Sequence, residues 1–180
     1  MNIYRLLSTR ERVKILKFVL YKTGTFGVSD VSRELKLSKG LVSKFFDILI
    51  KEKVLRKLNK GFQVLDNLNT HAIKIFLNVE SFNVNIFKKF KFIRAAGIYG
   101  SFAKGTNTEE SDIDIWIIVD RTNEEDLAKL TNELKKKYVN IKPLYLTKEK
   151  IETLKREDAV FYHSLVFGSI NVYGEEIETI

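Results

Sequence analysis

Two apolar runs joined by a polar connection constrain this chain more than any other feature. Ala95-Ala96-Gly97-Ile98-Tyr99 has the composition of a short buried strand. Gly100-Ser101 breaks it at a tight turn, Phe102-Ala103-Lys104 starts one helical turn, and a polar loop runs from Gly105 to Ser111. Asp112-Ile113-Asp114-Ile115-Trp116-Ile117-Ile118-Val119 opens a second strand, whose β-branched continuation suits burial on both faces.

Chemistry follows from that spacing. Side chains two apart on a strand share a face, so Asp112 and Asp114 project together. Adjacent carboxylates repel, and the pair is costly unless a cation sits between them. Mg²⁺ prefers oxygen ligands and is commonly shared with substrate phosphates. Two such ions about 3.5–4 Å apart clamp the attacking and leaving oxygens of a phosphoryl transfer. Gly100 lets backbone approach a ligand, and amides at a helix start suit a phosphate. Ser101 adds a hydroxyl, and Lys104 adds a positive charge one turn on.

An apolar strand, Gly-Ser, ten residues from Phe102 to Ser111, and then Asp112-Ile113-Asp114 resemble the signature of the polymerase-beta-type nucleotidyltransferase superfamily. The form Gly-Ser-Phe-Ala-Lys-Gly … Ser-Asp-Ile-Asp is most similar to the minimal nucleotidyltransferases of prokaryotes. That branch includes aminoglycoside and antitoxin nucleotidyltransferases. The resemblance covers residues 92–180 and implies transfer of a nucleoside monophosphate from an NTP, ATP first among the candidates, with release of pyrophosphate. It implies that Asp112 and Asp114 hold Mg²⁺ and are catalytic. It gives Gly100, Ser101 and Lys104 the triphosphate. The acceptor is left open among a protein hydroxyl, a small molecule and an RNA end.

The family pattern also asks for a third carboxylate, on the strand after the long helix. Here that strand, Ile141 to Thr147, holds no acid, and no Asp or Glu occurs between Glu133 and Glu149. Alignment puts Leu144 where the acid belongs, and Pro143 points to an edge position or a strand start. Three readings follow. The domain is an active enzyme that borrows a base, with Glu149, Glu109 and Glu110 nearest by sequence. Or it binds Mg²⁺ and nucleotide but transfers poorly, as a nucleotide-sensing transcriptional regulator or antitoxin-like protein. Or the fold is a relic. Retention of Gly100, Ser101, Asp112 and Asp114 favours the first two.

Charge divides the chain. Residues 1–91 carry 19 Lys+Arg against 7 Asp+Glu, a net +12, while residues 92–180 carry 12 against 16, a net −4. A basic half beside an acidic half suggests two domains, the basic one suited to a polyanion. Ser8-Thr9 caps a helix with apolar Val13, Leu16, Val19 and Leu20. Ser29 caps a second helix. Ser38 caps a third, Leu41 to Lys51, burying Leu41, Val42, Phe45, Phe46, Ile48 and Leu49. Two runs, Val54 to Leu58 and Phe62 to Leu65, flank the turn Asn59-Lys60-Gly61 as a hairpin.

Three helices and a hairpin resemble a winged helix-turn-helix domain, by pattern more than by motif. In that family the third helix enters the major groove and the hairpin meets the backbone. The resemblance implies double-stranded DNA as a partner through residues 8–66. Ser38, Lys39, Ser43 and Lys44 would face DNA, and Arg56, Lys57 and Lys60 would sit on the wing. Asp47 on the same face would repel phosphate.

The fold expected is α+β: a winged helix-turn-helix at 8–66, a helical linker at 67–91, and a small mixed α/β nucleotidyltransferase domain at 92–180. Leu68 to Glu80 is read as a helix with an apolar stripe of Ala72, Ile73, Ile75, Phe76 and Val79, and Phe82 to Phe92 as another. His71 and His163 are read as surface or packing residues. There is no cysteine, so thiolate metal sites and disulfides are excluded. No apolar run approaches the ~20 residues of a membrane span. A cytoplasmic protein with no membrane partner is expected.

Overall fold

The computed structural model describes residues 1–177, so the last three residues of the expected 92–180 domain lie outside the described part. The chain divides into two compact units. One is Met1–Leu77 together with Thr106–Glu110, and the other is Asn78–Gly105 together with Ser111 onward.

The first unit is built on helices α1 (Ile3–Leu7), α2 (Arg10–Val19), α3 (Val28–Leu35) and α4 (Lys39–Lys51), followed by the hairpin β1 (Leu55–Leu58) and β2 (Gly61–Val64). Helix α1, which the sequence pattern does not announce, is capped by Asn2 and buries Leu6. Thr9 caps α2 by accepting from the Arg12 amide. Helix α3 starts before the expected Ser29: Gly27 is its N-cap, and the Asp30 carboxylate accepts from the Gly27 amide at 3.0 Å. Ser38 caps α4 as expected. Val42, Phe45, Phe46 and Leu49 are buried, with Leu41 and Ile48 packed on their margin. Phe26 joins the hairpin edge by paired backbone bonds with Phe62, of 3.0 and 2.9 Å. Phe46 stacks edge-on against both rings.

Helix α5 (Leu68–Ser81) departs from the expected stripe. Thr70, Ile73, Lys74, Leu77 and Asn78 are its buried residues, while Phe76 and Val79 are exposed. The period is helical, but three of the five are polar. Ile73 and Leu77 complete the first unit's core. Within that unit the Lys74 ammonium donates to the Asn107 carbonyl at 2.7 Å, and burial pulls its pKa below the ordinary lysine value. Lys22 pairs with Glu109, whose amide donates to the Tyr21 carbonyl.

The second unit is a four-stranded sheet in the order β5-β4-β3-β6, from β3 (Ile93–Ile98), β4 (Ile113–Val119), β5 (Ile141–Leu146) and β6 (Ile170–Gly174). Strand β3 is antiparallel to both β4 and β6, and β4 is parallel to β5. The short helix α6 (Gly100–Lys104) lies between β3 and β4, α7 (Glu124–Lys137) crosses from β4 to β5, and α8 (Lys148–Glu157) and α9 (Ala159–Gly168) lead to β6. Acids open α7 and Lys135-Lys136-Lys137 close it, each at the end of the helix dipole that suits its charge. A 3₁₀ turn, Val84–Lys89, replaces the α-helix expected there and buries Ile86 and Phe87.

Two cores cover the sheet. One face packs Ile98, Ile115, Ile117 and Val119 against Leu130 and Leu134 of α7. The other packs Trp116 and Ile118 against Ile151, Tyr162 and Leu165 of α8 and α9. Strand β5 is an edge, as Pro143 requires. No helix among the described residues is long and apolar enough to cross a membrane.

Candidate active site

The Gly-Ser turn and the aspartate pair meet because β3 ends where β4 begins. The strands are antiparallel, Ile98 lies opposite Ile115, and the Tyr99 amide donates to the Asp114 carbonyl at 3.0 Å. The chain then turns through Gly100 at φ +65° into α6. A β-carbon on Gly100 would stand 2.7 Å from Asp114 Oδ2. Glycine is needed twice here: for the left-handed backbone and for the close approach of the turn to the carboxylate. Ser101 is half-buried in the same turn, and Lys104 is exposed at the end of α6.

Asp114 is the second residue of β4, and Asp112 immediately precedes the strand. Burial raises the Asp114 carboxyl above the ordinary carboxylate value, the Asp112 charge raises it further, and Lys142 partly offsets both. Burial and the Asp114 charge likewise push the Tyr99 phenol up. Burial and a neighbouring like charge thus act together against the charged form of Asp114.

Lys142 is the residue that the sequence reading missed. In the parallel β4–β5 ladder Asp114 lies beside Lys142, and Leu144 lies beside Trp116. The β5 position next to the pair is therefore Lys142 and not Leu144, which packs on the margin of the Trp116 core. The Lys142 ammonium sits 2.6 Å from Asp112 Oδ2, and that bond lifts the lysine pKa above its ordinary value. Alternation alone gives Lys142 and Leu144 the same face. Only the register decides which of them flanks the aspartates.

Of the three acids weighed as a borrowed base, Glu109 and Glu110 belong to the first unit. Glu109 is bound to Lys22 in the first unit, and the exposed Glu110 donates its amide to the Thr108 hydroxyl. Glu149 follows the far end of β5, where the Thr147 hydroxyl holds its carboxyl below the ordinary value. Among the described residues no three His, Cys, Asp or Glu side chains converge. Two carboxylates do fit Mg²⁺ of the kind that fills its octahedron with water and phosphate oxygens.

The polymerase beta nucleotidyltransferase family model matches residues 83–178, more than half of the chain. The chain belongs to this family. No curated protein matches the nucleotidyltransferase sequence. Among solved structures, a toxin-antitoxin complex with AMP-PNP is 16% identical over 56% of this chain and 77% of that one, with a TM-score of 0.40. A Sulfolobus solfataricus protein described as a nucleotidyltransferase is 17% identical over 62% and 87%, at 0.37. A complex of a tri-AMPylated Shewanella oneidensis HEPN toxin with its MNT antitoxin is 12% identical over 58% and 73%, at 0.34. The family assignment rests on the match over residues 83–178.

The candidate DNA-facing residues are all in the first unit. Lys39, Ser43 and Lys44 are exposed on α4, and Asp47 is exposed one turn beyond Ser43. The Ser38 hydroxyl is occupied as the α4 cap. Arg56, Lys57 and Lys60 are exposed on the hairpin. Arg56 and Lys57 are consecutive strand residues and so point to opposite faces, and the Arg56 guanidinium is held by Gln63 Oε1 at 2.6 and 3.0 Å. His71 pairs with Asp66 at 2.5 Å, and the exposed His163 ring stacks on Phe167.

Proposed function

We propose that the second unit transfers a nucleoside monophosphate from an NTP, ATP first among the candidates, to a hydroxyl acceptor. The observation that carries this reading is the approach of the Gly100 turn to Asp114, whose carboxyl also feels the charge of Asp112. It sets a backbone suited to phosphates against a carboxylate pair suited to a cation. In this reading Asp112 and Asp114 hold Mg²⁺, which when bound neutralises phosphate charge as a Lewis acid. Ser101 and Lys104 hold the triphosphate. The acceptor oxygen bonds to the α-phosphorus as the bond to the bridging oxygen breaks, and pyrophosphate leaves with that electron pair. The acceptor proton goes to solvent, since β5 offers no carboxylate.

A second reading is favoured by Lys142. A lysine beside Asp114, on a strand that holds no acid, leaves the site without a base and its nucleotide-binding residues in place, which describes a nucleotide-sensing regulator better than an efficient enzyme. The basic first unit, read as a winged helix-turn-helix domain that binds duplex DNA through α4 and the hairpin, suits either reading. Its support is the first unit's 16 Lys+Arg against 8 Asp+Glu, a net +8, and the exposure of Lys39, Lys44, Lys57 and Lys60.

Incubation with each labelled NTP, Mg²⁺ and cell lysate decides between enzyme and regulator. Wild type should label an acceptor that Asp112→Asn with Asp114→Asn does not. Stabilisation by Mg²⁺–NTP without any labelled product would favour the regulator.

A further inference from the structure

We propose that Lys142 is the resident cation of the aspartate site: its ammonium neutralises Asp112 in the metal-free protein, and a divalent ion entering the site displaces it. The inference rests on the reading of Asp112 and Asp114 as a metal site.

Geometry carries it. Lys142 stands beside Asp114 in the β4–β5 register. Its ammonium lies 2.6 Å from Asp112 Oδ2, a charge-assisted hydrogen bond. Among the described residues this is the only ion pair recorded at either aspartate. The ammonium therefore occupies an oxygen that a divalent ion would need. A lysine suits a temporary role, because it is a point charge on a flexible stem that makes no bidentate fork. Its side chain is 65% exposed on an edge strand, so swinging away breaks no packing.

Two costs then oppose a divalent ion that arrives alone. It must break the Lys142–Asp112 pair, and it must sit within a few ångströms of a like charge. An ion that arrives bound to a triphosphate meets neither cost in full, because the phosphates take up the displaced ammonium's charge. Lys142 thus favours loading of metal with nucleotide over loading of metal alone.

The test is titration of the full-length, nucleotide-free protein with Mn²⁺, followed by calorimetry or water-proton relaxation. Lys142→Met should bind Mn²⁺ about five- to tenfold more tightly than wild type, from the lost pair and the lost repulsion. Lys142→Arg, which keeps the charge, should stay near wild type. Both substitutions are at an exposed position, and a thermal melt checks folding. Binding in Lys142→Met equal to or weaker than wild type, with Asp112→Asn still abolishing it, would overturn the competition and leave the metal-site reading standing. Mn²⁺ binding that ignores Asp112→Asn with Asp114→Asn would remove the metal site itself, and the inference with it.

Discussion

Gly97 and Trp116 are partners across β3 and β4, and a β-carbon on Gly97 would fall 2.2 Å from the indole ring. Among the described residues the ring, which lies over the glycine, is the largest fully buried side chain, and its indole N–H meets no acceptor there. Strand β3 is small at this point because β4 is large. Gly97→Ala should overpack the sheet and cost about 1–3 kcal/mol in chemical denaturation. The companion Gly97→Ala with Trp116→Leu should recover part of that loss, and no recovery would show that the ring is not the obstacle.

Gly100→Ala meets a different obstacle. It forces alanine to φ +65° and drives its methyl onto the Asp114 carboxylate. Left-handed backbone alone costs about 1–2 kcal/mol. The protein should stay folded and lose the thermal stabilisation that Mg²⁺–NTP gives wild type, since a ligand of the native state raises its melting point. A stabilisation equal to wild type would separate the turn from the site.

Two grafts on β5 test the meaning of its register. Lys142→Asp puts a carboxylate beside Asp114, whereas Leu144→Asp puts one beside Trp116, on the margin of an apolar core. Lys142→Asp should speed single-turnover transfer, by up to the 10²–10⁴-fold typical of a general base. Leu144→Asp should lower stability without raising the rate. A faster Leu144→Asp would mean that the site reaches further along β5 than the register indicates.

The full-length chain should bind duplex DNA with an affinity that falls steeply as salt rises, through counterion release. Lys39→Glu with Lys44→Glu reverses two exposed charges on α4 and should weaken binding at least about tenfold at low salt. Binding by gel shift that ignores both the charge reversal and salt would assign the basic unit to protein contacts.

Alkaline stability reports on Tyr21, whose hydroxyl burial pushes up to about 12 from 10.0. An acid with a raised folded pKa is held protonated in the folded state while the unfolded chain ionises. Stability is intact below pH 10 and falls as pH climbs from 10 towards 12. Tyr21→Phe should remove about 1 kcal/mol of the loss seen between pH 9 and pH 11. Identical alkaline slopes in the two proteins would contradict the burial of this phenol.

Legibility from sequence followed the range of the interaction. The turn at Gly100 and the caps Thr9 and Ser38 are local relations, each readable within a few residues. Lys74 and Asn78 were not, because a polar residue in a buried stripe is stabilised by a distant partner: Asn107 O for one and Phe102 O for the other. Lys142 escaped for the same reason. Its place beside Asp114 is set by parallel pairing across the intervening α7, and sequence spacing does not count register.

Pro143 has a consequence beyond its own strand. Strand β5 is an open edge, and an unpaired row of amides there would invite a strand from another molecule. Pro143 has no amide hydrogen, and the neighbouring Lys142 places a charge in the same stretch. A foreign strand would meet a missing donor in mid-zip and an ammonium to desolvate. The residue run without a carboxylate thus doubles as a stop against sheet growth, and keeps the edge beside the candidate site from becoming an adhesive one.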